Sequence, residues 1–242
     1  MKLQDLNKID ISEPVIKYLP RFRGKNKKYF PQKSEITVKD LLSHVSGLPA
    51  FKQYYRTDKS KESLLTSIYN TNPVQNNRDT TIYSDVGAII LGDIVEKISG
   101  LNLDVFLDSM VFKPLGMNTT FYNPPGTKKH RIVPTEINSE GELIHGFVHD
   151  ENAYSLGGVA GHAGLFSTAK DLAVFSQMML NGGLYGWKRI FKTATVNSFT
   201  SKAGILDNSS RLLGWDSPAG LASGGVYLSD SSFGHTGFTG TS

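Results

Sequence analysis

Tyr83, Ser84 and Asp85 put a phenol, a hydroxyl and a carboxylate in consecutive positions, directly ahead of the most strongly patterned helix of the chain. Val86, Ile89, Ile90, Ile94 and Ile98 follow at helical spacing, Asp93, Glu96 and Lys97 fall elsewhere on the cylinder, and Gly100 supplies a stop. Free backbone N–H groups and the positive end of the helix dipole favour developing negative charge there, which suits acid–base work. The plainer reading makes Ser84 or Asp85 the N-cap and Tyr83 a half-buried aromatic.

Other polar groups offer rival chemistry. His145 and His149 stand four apart with Asp150 beside them and His162 downstream, a set that could bind zinc. Gly146, Phe147 and Val148 fit a strand better than a helix, however, which would hold the two imidazoles apart, so the expected metal set is none. The stretch His149-Asp150-Glu151-Asn152 reads instead as a loop beside a cleft, next to the glycines Gly157, Gly158, Gly161 and Gly164, which let backbone approach closely. His44, near the end of a helix opened by Thr37 and Asp40, reads as a partner of the helix dipole. The single Ser-x-x-Lys, Ser167-Thr168-Ala169-Lys170, has Thr168 and Asp171 at capping-box spacing and reads as a helix start.

Around these groups the chain has ordinary globular composition: 242 residues, 39% hydrophobic and 20% charged, with no repeat or long linker, hence one domain. Helices are expected over Pro14 to Leu19, Val38 to Val45, Ser60 to Tyr69, Leu103 to Val111, Ala169 to Met179 and Thr193 to Phe199, with Leu172, Phe175, Met178 and Met179 facing inward. Strand candidates are Arg131 to Val133, Leu143 to Val148, Gly225 to Leu228 and Phe233 to Ser242. The net charge is +4, and Lys17, Arg21, Arg23, Lys25, Lys27, Lys28 and Lys33 crowd one polar stretch. With no nucleic-acid module beside it, that stretch reads as a solvated basic loop rather than a nucleic-acid patch. The absence of cysteine excludes disulfides and thiolate chemistry. No apolar run approaches the roughly 18 residues of a membrane span, and Met1 to Asn7 lacks the apolar core of a secretion signal.

Four stretches taken together resemble the penicillin-recognising serine hydrolases, the group of class C β-lactamases, D-alanyl-D-alanine carboxypeptidases and related esterases. They are Ile36 to Pro49, Tyr83-Ser84-Asp85-Val86-Gly87, Gly161 to Ala173 and His235-Thr236-Gly237-Phe238-Thr239-Gly240. The resemblance implies an α/β fold of β-lactamase/transpeptidase type, with a helical subdomain over about residues 37–215 and the remnant of an antiparallel sheet over about residues 225–242. It implies catalytic roles for Tyr83, Ser84 and Asp85, matching a Tyr-x-Asn motif with Asp in place of Asn. His235, Thr236, Gly237 and Thr239 would bind substrate, with His235 where the family has lysine.

In that family a Ser-x-x-Lys nucleophile precedes the equivalent of Lys8, and no such motif precedes Lys8 here. The chain is therefore expected to be a partial domain, clipped at both ends and inactive alone, of a hydrolase acting on ester, amide or β-lactam bonds without a cofactor. The expected partner is a small acyl substrate or peptidoglycan fragment, in an extracytoplasmic setting. A non-catalytic peptidoglycan-binding module and, further off, a metal-dependent hydrolase are the alternatives.

Overall fold

The Asp85–Ser99 helix forms where the periodicity places it, because both its ends are chemically fixed. Ser84 caps its start and Gly100, at φ +73°, turns the chain in a left-handed conformation that suits glycine. Its apolar face buries Val86, Ile89, Ile90 and Ile94 against the Val38–Leu42 helix and the Leu103–Leu107 helix. Burying each such side chain fully contributes about 1.5–3 kcal/mol. A computed structural model describes residues 1–58, 60–207, 209–218 and 227–239.

Two cores organise these residues. The first gathers Phe22, Ile36, Leu41, Leu48, Leu64, Ile68, Ile90 and Ile94 around the N-terminal half. The Lys61–Tyr69 helix joins it with a capping box between Ser60 and Ser63. The stretch read as a basic loop contains the Phe30–Glu35 helix and two short 3-10 turns. Within that helix Lys33 is 1% exposed: its ammonium donates to the carbonyls of Tyr69 and Thr71, past the end of the Lys61–Tyr69 helix, and lies 4.5 Å from the Phe22 ring centre. Burial lowers its pKa to about 8.

The second core joins Val111, Phe112, Leu115 and Met117 to Met178 and Met179 of the Ala169–Leu180 helix, Val196 of the Thr193–Phe199 helix, and Ile190 and Phe191 between them. Phe175 packs on this core and stacks on Trp215, which meets Phe233 edge-on, so the core reaches the last described segment. Leu172, expected to face inward, is 38% exposed instead. The helix expected over Leu103 to Val111 is α-helical only to Leu107, then widens into a π turn over Asp108–Phe112.

Among the described residues the strands form two-residue antiparallel ladders: Phe121–Tyr122 with Leu165–Phe166, Glu136–Ile137 with Leu143–Ile144, and Leu184–Tyr185 with Lys188–Arg189. Several expected strands are corrected. Arg131 ends a 3-10 turn over Gly126–Arg131, and the pairing falls on Glu136–Ile137, where Thr135 and Asn138 continue the hydrogen bonding across the turn. The Leu143 to Val148 candidate shortens to Leu143–Ile144 because Gly146, at φ +80°, breaks the extension. Tyr227, Leu228 and Phe233 to Thr239 form no strand; Gly234 makes a single bridge to Asp216. Gly225, Val226 and Gly240 to Ser242 lie outside the described residues.

Candidate active site

Tyr83 is held by neighbours from three parts of the chain. Its ring lies 4.6 Å from that of His44 and 5.6 Å from that of His235, and the Arg211 guanidinium sits 5.1 Å from its centre. The side chain remains 42% exposed. Burial and the Asp85 carboxylate push the phenol pKa up, Arg211 opposing them. The ground state is therefore a protonated tyrosine with a cation already in place beside it.

Ser84 takes a different role from the catalytic one implied by resemblance. Its hydroxyl accepts the Gly87 N–H at 3.1 Å and donates to the Pro49 carbonyl at 2.7 Å, and the residue is 1% exposed. Both hydrogen-bonding capacities are used, so Ser84 is the N-cap that fixes Tyr83. His44 completes this arrangement: its Nδ1 accepts the Ser84 N–H at 3.1 Å and its carbonyl accepts the Ile82 N–H at 2.9 Å. An imidazole whose Nδ1 accepts a hydrogen bond is neutral, with its proton on Nε2. Burial, then Arg211 and His235, lower its pKa to about 3. His44 is thus not the charged partner of a helix dipole; it is a neutral brace behind Tyr83.

The loop leading into Tyr83 is tied down by Arg78, whose Nε and Nη2 donate to the two Asp40 oxygens at 2.9 and 2.8 Å. Asp40 is 1% exposed and also accepts the Thr37 N–H, closing the expected capping box. Fork-to-fork pairing of this kind fixes geometry as well as charge.

Asp85 occupies the first helical position, half-buried, its N–H donating to the Ala50 carbonyl at 2.9 Å. Burial raises its carboxyl pKa, while His162 pulls it down and Asp150 pushes it up. His162 has a side chain 2% exposed, and its Nε2–H donates to Asp150 Oδ1 at 2.8 Å. Burial works to raise the Asp150 pKa, but the His162 hydrogen bond and the Ala153 and Asn152 amides outweigh it and hold the carboxyl below its usual range. Asp150 at the same time caps the Glu151–Ser155 helix. Asn152, buried, locks this helix to the 52–55 turn through the Lys52 carbonyl and the Tyr55 N–H. The glycine stretch earns its composition here: a Cβ on Gly161 would lie 2.1 Å from the Ala88 carbonyl oxygen. Only glycine lets this loop lie against the first turns of the Asp85–Ser99 helix.

On the opposite side, His235, Thr236, Gly237 and Thr239 are all exposed. His235 meets Tyr83, and its Nδ1–H donates to the Thr236 carbonyl at 2.8 Å. Arg211 pairs with Asp216 at 2.9 Å, and the Asp216 N–H and carbonyl bond Gly234, so this pair anchors the segment before His235. His149 meets Phe238 edge-on at 5.7 Å, which brings the His149-Asp150 loop beside the 235–239 segment. Tyr83, Asp85 and His235 are therefore brought together. Arg211 and His44 were not picked out as site residues by the sequence reading, and neither carries a local motif.

The remaining candidates lie elsewhere. Ser167 bonds Thr120 at 2.7 Å, Thr168 caps the Ala169–Leu180 helix and Lys170 is exposed, so the Ser-x-x-Lys is a helix start. His145 Nε2 faces the carbonyls of Lys129 and Ile132, whereas His149 faces Glu136 and Thr135. Among the described residues no three His, Cys, Asp or Glu side chains gather as a metal set.

Comparison with known proteins identifies the family and the fold. The family model described as Beta-lactamase matches residues 1–242. A Salmonella gallinarum protein named putative D-alanyl-D-alanine carboxypeptidase is 38% identical over 99% of this chain, and the chain spans 61% of that relative's length. A penicillin-binding protein homologue from Caulobacter crescentus aligns with a TM-score of 0.71 at 18% identity, over 98% of this chain and 67% of its own. A D-stereospecific amidohydrolase from Streptomyces aligns at 0.67 and 20% identity, over 97% of this chain and 69% of its own. At such identities these structures speak to the fold, which is that of β-lactamases and penicillin-binding proteins. With its whole length matched and its tyrosine set at a capped helix start across from a histidine-bearing segment, this chain belongs to the Beta-lactamase family.

Proposed function

We propose that the chain forms the tyrosine-bearing part of a serine acyl hydrolase that cleaves peptide or ester bonds of peptidoglycan-type fragments outside the cytoplasm. One observation carries this reading: Tyr83 stands at a helix N-terminus with the Arg211 guanidinium 5.1 Å from its ring. A phenol relays a proton through a transiently ionised form, which an adjacent cation favours, although burial and Asp85 still hold the resting pKa of Tyr83 above its ordinary value. In the reaction, a serine would attack the acyl carbonyl, its proton passing by way of Tyr83 to the leaving group, and water would then release the acyl group. His235 and the Thr236 backbone would line the acyl side.

In this reaction neither Ser84, spent as a cap, nor Ser167, opening a helix, would attack, and the attacking serine would belong to a Ser-x-x-Lys outside these 242 residues. Residues 1–242 alone would then be inactive. Among the described residues no helix is long and apolar enough to cross a membrane.

The test is acylation by a fluorescent penicillin or fluorophosphonate. The full-length protein should label stoichiometrically and residues 1–242 should not. Labelling of residues 1–242 at any serine, or full-length turnover indifferent to Tyr83→Phe, would overturn the reading.

A further inference from the structure

An open cavity of about 400 Å³ lies between the turn at residues 52–57 and the C-terminal end of the Lys61–Tyr69 helix, and the proton relay uses none of its residues. That is room for a small ligand. Its frame is fixed from behind: the buried Asn152 side chain holds the Lys52 carbonyl and the Tyr55 N–H, Tyr54 and Thr71 join their hydroxyls at 2.5 Å, and Lys33 takes the Tyr69 and Thr71 carbonyls. The lining, by contrast, has hydrogen-bonding capacity to spare. Among the described residues the Lys52 ammonium and the Gln53 amide have no partner, and Asn70 spends its Nδ2–H on the Thr66 carbonyl, which leaves its Oδ1 open.

The charges around the cavity narrow what it can hold. An anion would meet the carbonyl end of the helix and the Asp58 carboxylate, which accepts the Ser67 hydroxyl at 3.0 Å, whereas a cation would meet Lys52. An apolar ligand would cover the spare donors and acceptors without satisfying them. A neutral polyol, whose hydroxyls both donate and accept, satisfies all three side chains, and an acetamido group pairs with the Gln53 amide in both directions.

Building on the hydrolase reading, we infer that this cavity is a sugar subsite, which takes an uncharged N-acetylated hexose of a peptidoglycan-type fragment whose acyl part lies at Tyr83. The wall of the cavity begins close to the relay. The Ala50 carbonyl accepts the Asp85 N–H at 2.9 Å, and the two residues of chain from Ala50 to Lys52 span at most about 7 Å.

The experiment titrates three sugars into the full-length protein by saturation-transfer NMR and calorimetry: N-acetylglucosamine, which is neutral; glucosamine, which carries an ammonium; and glucuronic acid, which carries a carboxylate. N-acetylglucosamine should bind saturably and about tenfold tighter than either charged sugar. Gln53→Ala, at an exposed position, should weaken it severalfold with the thermal midpoint unmoved, and Lys52→Ala should relax the discrimination against glucosamine. In turnover, a sugar-bearing acyl peptide should show a KM severalfold below that of the bare peptide at equal kcat, a gap that Gln53→Ala closes. No saturable binding of N-acetylglucosamine, equal affinity for the three sugars, binding indifferent to Gln53→Ala, or a KM indifferent to the sugar overturns the inference. Tyr83→Phe separates it from the hydrolase reading, because it should abolish hydrolysis and leave sugar binding intact. Hydrolysis that survives Tyr83→Phe sinks only the hydrolase reading, and a Tyr83-dependent enzyme that binds no sugar sinks only the subsite.

Discussion

On the side of the cleft that carries Tyr83, each backbone turn is held by buried polar groups: Asp40 by Arg78, Ser84 by His44 and Pro49, and the helix start by its cap. On the side that carries His235, the segment is held by the Arg211–Asp216 salt bridge, isolated ladder contacts at Asp216 and ring contacts of Phe233, His235 and Phe238, and residues 235–239 face solvent. The first side draws on the larger core around Ile90, the second on the smaller one around Met178. A proton relay tolerates little displacement, whereas a surface that receives varied acyl groups gains from adaptability. Under the proposed function, chemistry would fall to the braced side and acyl recognition to the exposed one.

The sharpest way to break this contrast is to remove the phenolic hydroxyl. Tyr83→Phe should lower turnover of the full-length enzyme by roughly 10²–10⁴-fold, the range for a lost proton relay, with thermal stability nearly unchanged. A loss below tenfold in steady-state kinetics would move the chemistry off the braced side.

Next comes the brace itself. Arg78→Ala leaves the buried Asp40 with its backbone donor alone, and should cost about 2–3 kcal/mol, below the full cost of a wholly buried pair because Arg78 is half-exposed. Urea unfolding should show a lower midpoint at unchanged slope.

Acid should act on the same side through His44. Its pKa is about 3 in the folded chain and 6.5 by default, so between those values the unfolded chain binds more protons. Stability therefore falls as pH drops through that window, by up to about 1.4 kcal/mol per pH unit, and is insensitive to this group above it. His44→Asn should flatten the dependence in denaturant titrations at pH 4–7. The exposed side should be the least sensitive: Phe238→Ala, at a residue 94% exposed, should change stability by less than about 0.5 kcal/mol while altering substrate preference.

Much of the braced side is written locally. The caps at Thr37 and Thr168 each occupy the position their spacing predicts, because a cap is an exchange between residues three apart. The polar partners of the site are not local. His44 meets Ser84 across 40 residues of chain, and Arg211 reaches Tyr83 from the far end of the fold. The strands were misplaced for the same reason: each ladder is two residues long, and pairs such as Phe121 with Phe166 are set by tertiary packing rather than by alternation. Resemblance to a family supplied Tyr83 and His235 together, but it also lent Ser84 a catalytic role that its two hydrogen bonds leave no room for.

Lys33 carries a practical consequence. Its amine is folded away beneath Phe22, while Lys25 and Lys27 stand in solvent a few residues earlier. An acylating reagent applied in mildly alkaline buffer should modify the two outer amines at once and reach Lys33 only during rare openings of the N-terminal half. Peptide mass mapping of that single delayed adduct would then serve as a clock for how often the part of the molecule behind Tyr83 comes apart.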